Sequence, residues 1–175
     1  MGKPHIVVIP YPAQGHVIPF MELSQCLVKQ GFKITFVSTE YNHKRVLKAL
    51  RGNINLGGEI SLVSLPDGLE ACGDRNELGK LSKAIFQVMP GKLEELIDRI
   101  NMTEEKITCI ITDWSMGWAL EVAEKMKIRR AIYWPAAAAI LCSLISIPKL
   151  LSDGIIDGDG EIIYHKPFSY SVAIS

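Results

Sequence analysis

Two short loops carry the residues with the clearest capacity for chemistry. The first, Tyr11-Pro12-Ala13-Gln14-Gly15-His16, follows the apolar run His5-Ile6-Val7-Val8-Ile9-Pro10. The second, Asp113-Trp114-Ser115-Met116-Gly117-Trp118, follows Ile107-Thr108-Cys109-Ile110-Ile111-Thr112. A histidine that removes a proton near neutral pH must rest uncharged and be oriented by a partner. A helix N-terminus disfavours the imidazolium, and a nearby carboxylate stabilises it once formed. His16 and Asp113 therefore suit a general base and its orienting acid. The plainer alternative is that each caps the helix after it, a common use of Asp, and position alone weighs the two evenly. The second loop also resembles the nucleophile elbow G-x-S-x-G, with Ser115 as nucleophile and Asp153 or Asp157 then His165 completing a serine-hydrolase order. Asp113 stands where the first glycine should be, however, and its Cβ would crowd so tight a turn.

The surrounding pattern alternates strand and helix. Residues 5–10, 33–38, 60–64, 107–112 and 130–133 are short apolar or β-branched runs, as strands of a buried parallel sheet would be. Helices are expected after each. One begins past Gly15 with Pro19 in its first turn, buries Phe20, Leu23 and Leu27 and stops at Gly31. A polar one covers about 41–50, with Lys44, Arg45 and Lys48 as a solvated basic face. Another runs from 74 to 101 with an interruption at Met89-Pro90-Gly91, a fourth covers 116–126, and an apolar one 136–150. Such alternation predicts an α/β fold, a Rossmann-like parallel sheet with helices on both faces, in the order 3-2-1-4-5. The first and fourth strands then meet at the switch point, where ligands bind outside the carboxyl ends of strands. That is where both loops lie.

Composition narrows the function classes. With 19 basic and 19 acidic residues the net charge is zero, which argues against a nucleic-acid partner. The 175 residues, 48% hydrophobic, suffice for one core and are too few for two domains of typical size. The four cysteines have no metal-ligand spacing and read as reduced thiols of a cytoplasmic protein, with no metal site. Residues 131–148 lack charge and touch the lower limit for a membrane span. Pro135, Ser143 and Ser146 favour a buried strand and a core helix instead, so no integral membrane segment is expected. A nicotinamide or flavin site would need G-x-G-x-x-G after the first strand, and this loop has one glycine.

Several blocks then carry a resemblance. Pro10-Tyr11-Pro12-Ala13-Gln14-Gly15-His16-Val17-Ile18-Pro19-Phe20, Gly31-Phe32-Lys33-Ile34-Thr35-Phe36-Val37, Thr39-Glu40-Tyr41-Asn42, Ile111-Thr112-Asp113 and Asp153-Gly154 are similar to the N-terminal half of plant family-1 UDP-glycosyltransferases. The resemblance implies one Rossmann-like domain of a two-domain GT-B architecture. Residues 1–165 would be the incomplete acceptor-binding domain and 166–175 an atypical tail, with the C-terminal nucleotide-sugar domain absent. It further implies inverting transfer of a hexose, by family default glucose, from a UDP-sugar co-substrate to a hydroxyl or carboxyl of a small plant metabolite, without a cofactor. His16 would be the base, Asp113 its partner, and Gly15 a point of close approach to the donor. Phe86, Ser115, Met116 and Trp118 would wall the acceptor pocket or pack the core. Nothing here resembles the family's tryptophan-led donor box, and Trp134-Pro135-Ala136-Ala137-Ala138-Ala139 lacks the hydroxyl that many relatives direct at the sugar. The chain alone is therefore expected to transfer little or no sugar. The alternative is a non-catalytic module that binds a ligand or partner, with apolar residues of its last helix exposed.

Overall fold

A computed structural model describes residues 2–43 and 58–163. The chain divides into two compact units, 1–135 and 136–175. The first unit holds five strands: β1 (His5–Ile9), β2 (Lys33–Thr39), β3 (Ile60–Leu65), β4 (Ile107–Asp113) and β5 (Arg129–Tyr133). Its helices are α1 (Gln14–Lys29), α2 (Leu78–Asn101) and α3 (Trp118–Lys125). The strands form one all-parallel sheet in the order β3-β2-β1-β4-β5, as the alternation predicts. The expected helix over 41–50 is seen as helical turn at 40–43; the rest of it, including the basic face, lies outside the described residues.

Strand alternation divides the core into two layers. Ile6, Val8, Ile34 and Phe36 pack with Phe20 and Met21 of α1, joined by half-buried Cys109 and Ile111. Val7, Ile9, Val37 and Ile110 face the other way, onto Leu81, Ile85, Met89 and Leu93 of α2 and Ala119 and Val122 of α3. Each fully buried aliphatic of this kind is worth about 1.5–3 kcal/mol. At the amino end of the sheet His5 is buried, with Nδ1 2.8 Å from the Glu105 carbonyl and Nε2 2.8 Å from Thr35 Oγ1. A carbonyl only accepts, so Nδ1 carries the proton and Nε2 accepts from the threonine.

Helix ends explain where the chain turns. Past α1, the Phe32 N–H reaches the Leu27 carbonyl and the Gly31 N–H that of Val28, a Schellman stop with Gly31 at φ +87. The same motif closes α3, where Lys127 takes the left-handed position at φ 56. Gly68 turns the chain from β3 at φ +83, and a Cβ there would stand 2.7 Å from the Ala84 carbonyl oxygen of α2.

Several expectations need correction. Pro19 sits inside α1, which begins earlier at Gln14, and the buried residues are Phe20, Met21 and Ser24, with Leu23 and Leu27 only half-buried. Helix α2 runs unbroken through Pro90 from Leu78, not Asp74. Buried residues on both sides of the proline, Leu81, Ile85 and Met89 before it and Leu93, Leu96 and Ile97 after it, pack into one core cluster, and their burial outweighs the missing N–H. Strand β5 lies at the sheet edge and is largely exposed, not buried. In the second unit the apolar helix α4 (Ala138–Ser152) has no buried residue, so it is not a core helix. Periodicity reports how apolar a helix is, not whether something covers it. No helix among the described residues is long and apolar enough to cross a membrane. The tail 166–175 and His165 lie outside the described residues.

Candidate functional site

The residue before α1, Ala13, has extended backbone and offers no capping side chain. Counting from it puts His16 third in the helix, within its first turn. Asp113 closes β4, and alternation places it on the same face as Cys109 and Ile111, the face α1 covers. A β-bulge sets that phase: His5 pairs with Ile107 but Ile6 pairs with Cys109, so Thr108 is extra. The two candidate residues thus meet across the switch point. His16 Nδ1 lies 2.7 Å from Asp113 Oδ2, with the imidazole about one-third exposed and the carboxylate 1% exposed.

Neither residue serves as a helix cap. The residue preceding α3 is Gly117, which makes no side-chain cap. Asp113 instead uses Oδ1 to accept the Ser115 N–H at 3.0 Å and the Ser115 hydroxyl at 2.7 Å. A carboxylate accepts only, so the hydrogen on the His16–Asp113 contact belongs to Nδ1, and Nε2 of a neutral ring keeps its lone pair. The arrangement can take a proton at Nε2 and offset the charge that then forms, in surroundings where such bonds are strong.

Tyr11 supports the imidazole from one side. Its ring centroid is 5.5 Å from that of His16, and its hydroxyl meets Ser82 Oγ of α2 at 3.2 Å. At the same edge of the sheet Trp114 and Trp134 stand edge to face, centroids 5.9 Å apart, Trp114 being 45% exposed. Asp113 and Tyr133 pair in register, so the two tryptophans each follow a paired strand end. The sequence reading missed Tyr11 and this pair, although Trp114 directly follows Asp113.

The proposed pocket walls do not assemble. Ser115 is exposed and bound to Asp113, while Phe86 is exposed on α2. Met116 and Trp118, the latter the first residue of α3, are buried in the core cluster shared with α2. Trp118 Nε1 is the one buried side-chain donor without a partner among the described residues. Met116 borders a cavity of about 10 Å³, room for one water at most. Gly15 is open: a Cβ would meet nothing within 4 Å.

A far larger cleft, about 880 Å³, runs along Gln14, Val17, Ile18 and Met21 and is faced by Tyr41, Asp67 and Arg75. At 100° per residue Gln14, Ile18 and Met21 lie on the side of the helix away from His16, with Val17 at its flank. Its size suits a small molecule, but the base does not look into it. Its far wall is ordered by Arg75, which donates from Nε to Asp67 Oδ2 at 2.9 Å and from Nη2 to Oδ1 at 3.2 Å. Nη1 reaches the carbonyls of Gly73 at 2.8 Å and Glu70 at 2.9 Å, and the guanidinium lies over the Tyr41 ring. The Asp67 hydrogen bond raises the Arg75 pKa above its ordinary value. No group of metal-ligating residues occurs among the described residues.

No protein-family model matches the chain. It is similar to UDP-glycosyltransferase 83A1 of Arabidopsis thaliana, 49% identical over 179 residues that cover 98% of this chain and 38% of the relative. It is also similar to 7-deoxyloganetin glucosyltransferase of Catharanthus roseus, 34% identical over 87% of this chain and 33% of the relative. The chain thus spans about a third of the length of the curated relatives it matches. Among solved structures, UDP-glucose: anthocyanidin 3-O-glucosyltransferase in complex with UDP superimposes with a TM-score of 0.70 at 20% identity, covering 87% of this chain and 34% of that one.

Proposed function

We propose, from the premise that this chain is similar to the N-terminal part of plant UDP-glycosyltransferases, that it supplies the acceptor-activating half of an inverting sugar transfer. The observation that carries the reading is the 2.7 Å contact between His16 Nδ1 and Asp113 Oδ2 at the carboxyl ends of adjacent central strands. His16 Nε2 takes the proton of an acceptor hydroxyl as its oxygen attacks the anomeric carbon, UDP leaves from the opposite face, and configuration inverts. Asp113 holds the tautomer and stabilises the imidazolium. The step needs no cofactor or metal, and the UDP-sugar is a co-substrate.

The donor is UDP-glucose, a choice that rests on relatives and solved neighbours named as glucosyltransferases. The acceptor is a small plant metabolite bearing a hydroxyl or carboxyl, and Gly15 leaves open space at the start of α1 for the donor. Residues 1–165 act as the acceptor-side domain in partnership with a C-terminal nucleotide-sugar domain, and the tail 166–175 is no part of that domain's function. The protein works in the cytoplasm, a reading that its four free cysteines favour. A serine hydrolase is disfavoured because the Ser115 hydroxyl is held by a carboxylate, not an imidazole.

The test compares the chain alone with the chain extended by the C-terminal part of the Arabidopsis relative, each given UDP-glucose and a panel of phenols, alcohols and carboxylic acids. The extended protein transfers glucose, the chain alone transfers little or none, and His16→Ala lowers transfer to hydroxyls about 10²- to 10⁴-fold. Transfer within tenfold of wild type in His16→Ala would overturn the base assignment. Ligand binding by an extended protein that transfers to no acceptor would favour the non-catalytic module.

A further inference from the structure

We propose that Ser115 is a positioning residue for the His16–Asp113 pair, an inference that rests on the functional reading above. The carboxylate of Asp113 is buried to 1% exposure, and its two oxygens have separate tasks. Oδ2 takes the His16 Nδ1–H at 2.7 Å. Oδ1 takes both hydrogens Ser115 can offer, N–H at 3.0 Å and Oγ–H at 2.7 Å. The backbone bond alone suffices for the local turn that an Asp side chain makes with the residue two places on. The hydroxyl is therefore surplus to the turn, and it is the shorter of the two bonds. Its effect is to hold the carboxyl plane about its terminal torsion, which is otherwise broad and two-fold. With that plane fixed, Oδ2 stays aimed at Nδ1, the proton stays on Nδ1, and the lone pair of Nε2 stays turned outward.

The same geometry explains why Ser115 is a poor nucleophile. Its hydroxyl donates to a carboxylate whose other oxygen is committed to the histidine, and no imidazole nitrogen is its partner among the described residues. Ser115 is exposed while Asp113 is not, so removing the hydroxyl opens the protected side of the carboxylate to water. Water makes a mobile replacement for a fixed donor. Misplacement of a reacting group by a fraction of an ångström to an ångström is enough to cost up to about a hundredfold in rate.

Two readouts test this on Ser115→Ala and Ser115→Thr. The first is the tautomer of His16 in this chain by long-range proton–nitrogen NMR, its signals assigned by their loss in His16→Ala. Wild type and Ser115→Thr show Nδ1–H, and Ser115→Ala shows a severalfold larger share of Nε2–H. The second is kinetics in the chain extended by the C-terminal part of the Arabidopsis relative. There kcat falls about tenfold in Ser115→Ala with acceptor KM unchanged and the pH–rate profile displaced, and Ser115→Thr restores both. A Ser115→Ala protein that matches wild type in tautomer, or in kcat and pH profile while wild type is active, overturns the proposal. If the tautomer moves while even the wild-type extended protein transfers no sugar, the positioning stands and the glycosyl-transfer reading falls.

Discussion

Arg75 offers a test of the structure that needs no substrate. It binds Asp67 through two nitrogens, 2.9 and 3.2 Å, and reaches carbonyls of Glu70 and Gly73, so one side chain orders the loop between β3 and α2. Both partners are nearly buried, with side chains 12% and 5% exposed. Truncation of Arg75 leaves Asp67 with the Leu69 N–H among the bonds seen here and strands the loop carbonyls. Breaking a buried pair by removing one partner costs about 3–5 kcal/mol, a large part of the roughly 5–15 kcal/mol that holds a domain folded. With a urea slope of about 2 kcal/mol per molar, Arg75→Ala should lower the midpoint by about 1.5–2.5 M. Tryptophan fluorescence is the right probe, because Trp114, Trp118 and Trp134 all lie in the first unit. The double variant Asp67→Ala/Arg75→Ala should be more stable than the sum of the singles predicts by about 1.5 kcal/mol or more, since the stranded charge is gone. A midpoint within 0.5 M of wild type for Arg75→Ala, judged against that slope of about 2 kcal/mol per molar, would mean that the pair does not hold the loop. So would additivity of the two singles.

Three further outcomes can be checked on the chain itself. Lys127 holds a left-handed conformation at the end of α3, so Lys127→Gly should gain about 0.5–1 kcal/mol, seen as a higher urea midpoint. Burial pushes the Cys109 thiol above its ordinary pKa, whereas Cys26, Cys72 and Cys142 are exposed. Maleimide at pH 7 should label three thiols quickly and Cys109 slowly, and equal labelling by mass spectrometry would contradict the fold. The Lys33 hydrogen bond lowers the Glu105 pKa. Its contribution is therefore complete above the ordinary carboxylate range and is lost as pH falls through the lowered value. Glu105→Gln should flatten that acid limb, and added salt should do the same in wild type.

The strand order was legible because parallel strands joined by helices admit few arrangements, and the most common one already sets β1 beside β4. From that adjacency the meeting of His16 and Asp113 followed without any family being named. What the sequence could not display was partnership across folded distance. The interruption expected at Met89-Pro90-Gly91 ignored that Leu81, Ile85, Leu93 and Ile97 enter one core cluster, so packing carries α2 through the proline. The apolarity of α4 was plain; it suggested a core helix, and its exposure was expected only under the non-catalytic alternative. Trp118 and Met116 were adjacent in sequence to a candidate site and turned out to serve the core, because successive residues after β4 diverge in direction. Arg75 and Asp67 lay in a polar loop whose composition says nothing about bidentate pairing.

The position of Asp113 shows how closely chemistry here depends on register. Side chains on a strand alternate, so a slip of β4 by one residue would turn Asp113 toward α2 and present Thr112 to His16. The bulge at Thr108 is what sets the phase, and the bond from its hydroxyl to the His5 carbonyl at 2.9 Å fastens the extra residue in place. His5 in turn is fastened to the Glu105 carbonyl and to Thr35 of β2, so three strands are pinned at the amino end of the sheet. The consequence appears at the opposite end, where Ile9 pairs with Thr112 and the next residue of β4 meets the first turn of α1. A polar network far from the base, with His5 and Thr35 buried in it, thus sets whether a carboxylate stands behind it.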